Sequence, residues 1–587
     1  MSILDPKEGR SGIGFAATPH DFQLLVSNPE ATVVPDGTRL AVGQGLDREG
    51  GALLRDAMLR PDPTAAMDAL VLGQEEATIV FADCMASGGP IIAAWRGATS
   101  NFDVYIVDNG PGQPPTITDH FRDALALVPA ERRGLDPHAV ADHLLFGTVP
   151  GTRTYVQTIG RLGHGEHLRW QSGRMERRHF DPLIARPRRD RPSLDDIDAA
   201  LARAIGRLSV ADDCANQLSG GIDSSLLHTY LPPGTPTVSG AVDSPEFARE
   251  RGYAEQASRL LGTRHQTFWA SEGEYLKLLI DMIRRSGQPT RMPQSVAFQL
   301  TFQSAPTRFI NGEFADALFG LKPSLPYILA FDQRHLLNLA KTLGLARLLP
   351  SGHTKGLRRR IERLERVEVP VGDWLGLGAR YTMFTNSALA ERILGTTTVR
   401  QRREARLAYV AERFRSEERD SNPLFAHLEF GHMMTFLCGD GASRWRQMAH
   451  AHGKSLLLPF LSRSVVAEAL AVPRGCRYIA DGRIKYLLKD LLKRRLPAFD
   501  VDAPKAGGDL PLARYLSSGP LKDAFERYAM PDFVDRDIAA ATRAAPDWLT
   551  WNLLTLAIWR DEVLADAALA PLPGTRVLAL PTGMGGR

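Results

Sequence analysis

The 587-residue sequence predicts an α/β protein in which a β-rich first domain is followed by a parallel-sheet domain with a large helical portion. Short apolar runs such as Ala77–Ala82 (ATIVFA) and Val104–Val107 (VYIV) sit among Gly-, Pro- and Thr-rich turns up to about residue 185. Beyond residue 193, strand-like runs alternate with helix-period segments, which implies a parallel sheet covered on both faces. From about 321 to 440 the pattern is mostly helical, with charged faces such as Arg400–Glu418.

The first domain is expected to span residues 1–185. Asp181–Pro192 (DPLIARPRRDRP), with three prolines and six charges, is the best linker, and the second domain is expected over 193–587. Ser193 with Asp196 resembles a capping box, and Leu194, Ile197, Leu201, Ile205 and Leu208 recur at helical spacing. Thr235–Val242 reads as a strand, Glu246–Leu261 as a helix stopped by Gly262, and Arg264–Ala270 as a strand. Gly273–Arg285 then reads as a helix and Arg308–Asn311 as a strand. The Pro- and Gly-rich tail Pro571–Arg587 is expected to be mobile or loosely docked.

Composition excludes several function classes. Lys and Arg total 71 against 67 Asp and Glu, so the net charge of +4 carries no global nucleic-acid signal. The basic clusters Arg186–Arg191 and Arg358–Arg360 read as a solvated linker and a solvated helix face. No run of about 18 apolar residues and no signal-like N-terminus is present, so a cytoplasmic protein without membrane contact is expected. Cys84, Cys214, Cys438 and Cys476 lack CxxC spacing and read as buried fillers. His450 and His452 stand two apart, which is not helix-face metal spacing, and read as structural.

The chemistry begins at Gln217–Leu231 (QLSGGIDSSLLHTYL): a strand end, two glycines, an acid, two serines and a helix ended by Pro232 and Pro233. Glycines allow close backbone approach and positive φ, while a helix start offers unpaired N–H groups to phosphate oxygens. Ser219, Gly220, Gly221, Asp223, Ser224 and Ser225 are therefore candidate nucleotide-binding residues. No lysine follows the glycines, which separates this loop from the GxxxxGK(S/T) type that serves γ-phosphate transfer. Cleavage between the α- and β-phosphates is the expected chemistry, although a Ser-Gly-Gly turn alone is a common loop. Asn311–Leu321 (NGEFADALFGL) also follows a strand, so Glu313 and Asp316 are expected at the same carboxyl edge as Asp223, where open α/β sheets bind ligands.

With these residues in view, the chain resembles the asparagine synthetase superfamily, pyrophosphate-loop ligases that include β-lactam synthetases and lasso-peptide macrolactam synthetases. SGGIDSS matches the family loop, and NGEFADALFG resembles its GEGADELFGG motif. Leu456–Ser462 (LLLPFLS) resembles RVPFLD, and Gly482–Pro497 (GRIKYLLKDLLKRRLP) with Ala503–Gly507 (APKAG) resembles the C-terminal K-LLR-LP-RxKxG pattern. Asp136–Pro150 and Ile159–Trp170 look like the end of the family's glutaminase-like domain, an N-terminal-nucleophile-hydrolase-like fold. Glutamine-hydrolysing members carry a cysteine after the initiator Met, whereas Ser2 stands here, and their glutamine-binding motifs are unrecognisable, so this domain is expected to be degenerate.

The resemblance implies ATP and Mg2+ as cofactors. Asp223 and Asp316 would hold the metal, and Lys505 would neutralise charge during adenylation and acyl transfer. Glu313 would orient or deprotonate the attacking amine. Leu218, Val238, Ser239 and Gly312 would border the nucleotide, mainly through backbone groups. The plainer reading of the acids, which their placement after strands disfavours for Asp223 and Asp316, is as helix-start, turn or capping residues; Lys505 on its own reads as a loop lysine, and Glu250 and Lys485 read as surface or helix-face charges. Ala317–Phe319 (ALF) replaces the family's ELF, so its second acid is absent.

The expected function is macrolactam formation in a lasso-type precursor peptide, with a leader peptidase and a leader-binding protein of the same pathway as partners. A β-lactam-type or other small-molecule amide synthetase is the alternative, and Glu313 in place of a tyrosine disfavours the β-lactam form. A glutamine-independent asparagine synthetase and a non-catalytic scaffold rank lower.

Overall fold

The computed structural model describes residues 22–188, 193–207, 213–320, 329–330, 333–345, 351–367, 387–418, 423–438, 441–503 and 510–580. The first half contributes β1 (Phe22–Val26), β2 (Thr32–Asp36), β3 (Arg39–Gln44), β4 (Thr78–Asp83), β5 (Ile91–Arg96), β6 (Tyr105–Val107), β7 (Thr116–Thr118), β8 (Ile159–Arg161), β9 (Glu166–Gln171) and β10 (Arg174–His179). Six of them form an antiparallel sheet in the order β10-β9-β5-β4-β3-β2, and β1, β7, β6 and β8 lie in a second sheet that faces it. Along β4, Val80 and Ala82 enter the core between the sheets. Ile79 and Phe81 point the other way, onto α1 (Gly50–Leu59) and α2 (Pro63–Gly73). This is the period-two alternation of a strand buried on both faces, which is why Ile79–Ala82 is apolar throughout.

The other face of the second sheet joins the main core. Tyr105, Val107 and Ile159 belong to one apolar cluster with Phe121, Leu144, Leu226, Phe309 and Trp551. Polar bonds reinforce the junction: Arg402 binds Asp142 through two hydrogen bonds of 2.9 and 2.8 Å, Gln447 donates to Asp103 at 2.8 Å, and Arg446 pairs with Glu76.

The connection between the halves carries β11 (Leu183–Ala185), followed by α3 (Leu194–Arg207), whose Ile197, Leu201 and Ile205 are buried as their spacing requires. Then come β12 (Cys214–Gln217), α4 (Ile222–His228), β13 (Thr237–Asp243), α5 (Pro245–Leu261), β14 (His265–Ser271), α6 (Tyr275–Ser286) and β15 (Arg308–Ile310). Gly262 ends α5 in the left-handed conformation, φ +64°. Within a helical stretch that includes α7 (Ala315–Phe319), α8 (Thr396–Arg413) and α9 (Pro423–Cys438), β16 (Phe414–Ser416) pairs in parallel with β11. β17 (Ser455–Leu457) completes an all-parallel sheet in the order β14-β13-β12-β15-β17. The sheet grows outward on both sides of β12, so the topological switch point lies at the carboxyl ends of β12 and β15.

The fold class is thus the expected one, with antiparallel strands early, a parallel sheet later and many helices. The described part of the tail differs from expectation, while residues 581–587 lie outside the described residues. Residues Arg576–Leu580 form β20, which pairs antiparallel with β1 over five residue pairs, and Leu578 enters the core of the sandwich. Upstream of it, the Leu572 N–H and the Thr575 hydroxyl donate to Asp123 at 2.7 and 2.8 Å. The short apolar run after Arg576 supplies a strand that the surrounding Pro and Gly concealed. Cys214 and Cys438 are buried as fillers, whereas Cys84 and Cys476 are half-buried. No described helix is long and apolar enough to cross a membrane.

Candidate active site at the carboxyl edge of the parallel sheet

β12 and β15 run side by side, with Asn216 opposite Ile310, and each ends in a glycine-containing loop. After β12, the Leu218 N–H donates to the Val238 carbonyl at 2.9 Å, which sets Leu218, Val238 and Ser239 together at adjoining strand positions. The Ser239 hydroxyl is occupied within the sheet, 3.2 Å from His265 Nε2 and 3.1 Å from Thr267 Oγ1. Gly220 takes φ +75°, and a Cβ there would stand 2.3 Å from the Tyr253 carbonyl carbon, so glycine alone fits beneath α5. The Ser219 N–H donates to Ser224 Oγ at 3.2 Å, and the Gly221 N–H donates to Ser219 Oγ at 3.2 Å, closing the loop on itself. The fully buried Ser225 hydroxyl has no hydrogen-bond partner among the described residues.

The second loop is stitched to the first. Asn311 Nδ2 donates to Gln217 Oε1 at 3.0 Å, and Asn311 Oδ1 accepts the Glu313 N–H at 2.7 Å. Gly312 passes so close to the phosphate-type loop that a Cβ would lie 2.9 Å from Ser224 N and 3.0 Å from Asp223 Cβ. Phe314 follows at φ +73°, a strained setting for an aromatic residue. Its ring packs edge-on against Phe436 at 5.9 Å, fixing the turn between the half-buried Glu313 and Asp316 in the first turn of α7.

The group that joins the loops is Lys485. The hairpin of β18 (Ile479–Ala480) and β19 (Arg483–Ile484) delivers it to the start of α10 (Tyr486–Arg495). Its ammonium lies 3.0 and 2.9 Å from the two oxygens of Asp223 and also contacts the Asp316 carboxylate. Burial works against its charge, but the two carboxylates outweigh burial and hold its pKa above the usual lysine range. His432 on α9 stacks edge-on against Tyr478 at 4.6 Å, and burial pushes its pKa down to about 3, so it adds no charge here at neutral pH.

The structure therefore brings Asp223, Asp316, Gly312 and the Ser219–Ser225 loop together, with Leu218, Val238 and Ser239 beside them. Lys505, Ser2 and the Glu250 side chain lie outside the described residues. Sequence reasoning read Lys485 as a helix-face charge and passed over Gln217 and Asn311. Lys485 falls in the recognised GRIKYLLKD segment, but a helix-start lysine 262 residues from Asp223 carries no proximity signal. The donor set fits a magnesium nucleotide: two hard carboxylates converge on one cation position, beside glycines that admit phosphate.

An open parallel sheet whose first βα turn is a Ser-Gly-Gly loop, with an Asp–Lys–Asp cluster at its switch point, defines a nucleotide-binding α/β protein of the pyrophosphate-loop type. The sequence profile of the asparagine synthase family matches residues 196–560, and the chain belongs to that family. Proteins provisionally named glutamine-hydrolysing asparagine synthetases in Mycobacterium bovis and in Mycobacterium tuberculosis are each 25% identical over 406 residues, covering 66% of this chain. The match spans 60% of the length of those curated relatives.

Proposed function

We propose that the protein is an ATP- and Mg2+-dependent, AMP-forming amide ligase that closes a macrolactam ring in a precursor peptide. A side-chain carboxylate of the peptide attacks the α-phosphate, pyrophosphate leaves, and the peptide's N-terminal amine attacks the acyl adenylate, expelling AMP and forming an isopeptide bond. The observation that carries the ligase reading is the meeting of Asp223 and Asp316 beside the Ser219–Ser225 loop at the switch point. Mg2+ held by Asp223 and Asp316 would neutralise phosphate charge.

The chain's own groups carry the remaining roles in this reading. The loop N–H groups and the Ser219, Ser224 and Ser225 hydroxyls bind phosphate oxygens, and Leu218, Val238, Ser239 and Gly312 border the nucleotide. Glu313 orients the peptide ammonium or takes its proton, and Lys505 neutralises negative charge developing during adenylation and acyl transfer. Holding both ends of one peptide makes the attack intramolecular. Support for a peptide amine over ammonia comes from the first half. Among the described residues 22–188, Cys84 is the one cysteine, held in the turn after β4, so the thiol chemistry that hydrolyses glutamine has no other candidate there. The long helical stretch beside the sheet offers surface for a peptide-sized substrate.

The test is incubation with ATP, Mg2+ and synthetic precursor peptides, followed by mass spectrometry and AMP detection. A product lighter by one water with equimolar AMP is expected. AMP with a small β-amino acid and none with any peptide would replace this reading by a β-lactam-type synthetase.

A further inference from the structure

The cluster of Lys485, Asp223 and Asp316 puts an ammonium where the reading above puts a metal ion. We infer that Lys485 is the resident counter-cation of this site: it holds the two carboxylates together in the nucleotide-free protein and must leave them before a divalent cation binds. Metal therefore enters together with a nucleotide and not before it. This inference rests on the proposed metal role of Asp223 and Asp316.

The geometry makes the two occupants exclusive. The ammonium sits 3.0 and 2.9 Å from both Asp223 oxygens and also touches Asp316, so it uses the lone pairs a metal would need. Mg2+ requires carboxylate oxygens at about 2.0–2.1 Å and near-octahedral order, which leaves no room for the ammonium in the same place. Removing the ammonium without a substitute anion strands a charge that is largely buried, and such a charge is costly. The phosphates of an incoming nucleotide provide the substitute, so displacement and nucleotide binding are coupled.

The backbone of Lys485 is fixed, so the movement belongs to its side chain. The residue takes φ +59°, its N–H donates to the Tyr478 carbonyl at 3.1 Å, and its carbonyl accepts the Lys489 N–H at 3.1 Å. Helix α10 is clamped in turn by Arg495, which donates to Thr229 Oγ1 at 2.8 Å and to Asp198 at 2.9 Å. A four-carbon stem on a fixed base permits an ammonium to exchange anions without moving the fold.

Nucleotide-free Mn2+ binding, read by electron paramagnetic resonance, and the melting shift caused by Mg2+ alone test the inference on full-length wild type, Lys485→Met and Lys485→Arg. Lys485→Met is expected to bind Mn2+ about 5- to 150-fold more tightly than wild type and to gain melting temperature from Mg2+ alone. Wild type and Lys485→Arg should respond only when a non-hydrolysable ATP analogue is added. If Lys485→Met does not fold, Lys485→Gln, which keeps a hydrogen-bond donor without the charge, carries the same expectation. Wild type binding Mn2+ alone as tightly as the neutral variants overturns the inference and leaves the proposed function standing. Absence of metal binding in every protein, even with the ATP analogue, removes the metal role of Asp223 and Asp316 and the inference with it.

Discussion

Two groups of ion pairs, one of arginine with Glu or Asp and the other of lysine with Asp, behave oppositely in this molecule. Where the halves meet, Glu76–Arg446 and Asp103–Arg96 have side-chain exposures of 2% or less. At the carboxyl edge of the parallel sheet, Lys485 is 9% exposed, Asp223 20% and Asp316 36%. Burial raises the pKa of Glu76 despite Arg446 and lifts Asp142 to about 6 despite Arg402, whereas Arg96 and Arg161 outweigh burial at Asp103 and hold its pKa down. A fully buried pair cannot exchange partners, because each opened ion would lack both water and counter-charge. At the sheet edge, water and an incoming nucleotide can replace the partner. The difference teaches that solvent access separates an ion pair locked in the core from one open to exchange of its partner.

The largest test of that contrast is Asp223→Ala or Asp316→Asn. ATP–pyrophosphate exchange should fall about 100- to 1,000-fold while unfolding stays cooperative. Unchanged exchange would strip the residue of its role. Lys505→Ala belongs to the same class and should lose exchange to a similar degree.

At the interface the expected loss is in stability. Arg446→Met leaves Glu76 buried beside an apolar side chain and should cost about 3–5 kcal/mol in guanidinium unfolding. Most of that should return in Glu76→Leu/Arg446→Met. A single-variant cost below about 1 kcal/mol, the range of exposed pairs, would erase the distinction between the two groups.

Gly312→Ala probes the contact between the two loops. Its Cβ would press on Ser224 N at 2.9 Å, and a displaced loop should weaken ATP binding about 10- to 100-fold in a titration with a fluorescent ATP analogue. Affinity equal to wild type would mean that the loops do not depend on each other's position.

An effect spread over several pH units lies at Asp123, a buried carboxylate in the first half that holds the tail. Burial pushes its pKa up to about 7, against the hydrogen bonds from Leu572 and Thr575, and nearby Asp119 adds to the rise. Because the folded value exceeds the unfolded one, its stabilising contribution is complete below about pH 4 and is lost as pH rises through 7. The slope is at most about 1.4 kcal/mol per pH unit. Buried histidines act in the other direction: His143, pushed down to about 3, costs stability as pH falls below about 6.5. Asp123→Asn should flatten the decline between about pH 4 and 7 in urea midpoints, and an unaltered profile would show that Asp123 titrates normally.

Much of this molecule is local and therefore legible in its sequence. The alternation in Ala77–Ala82, the helical spacing of Leu194 to Ile205 and the strand–glycine–helix order of Gln217–Leu231 each depend on neighbours within a few turns. Those patterns determined the fold class, the parallel sheet and a phosphate-type loop, and NGEFADALFG placed a second acidic loop at a strand end. They could not supply the partner of a side chain, since periodicity tells which face of an element is buried and not which element covers it. Lys485 reads as any helix-start lysine until the hairpin and α10 carry it to Asp223 and Asp316. The tail reads as loose until β1 offers an unpaired edge to Arg576–Leu580 across the whole length of the chain. Tertiary structure alone decided these two contacts, because both rest on long-range packing that brings together groups hundreds of residues apart, where Coulomb attraction and an open sheet edge act only after the core has formed.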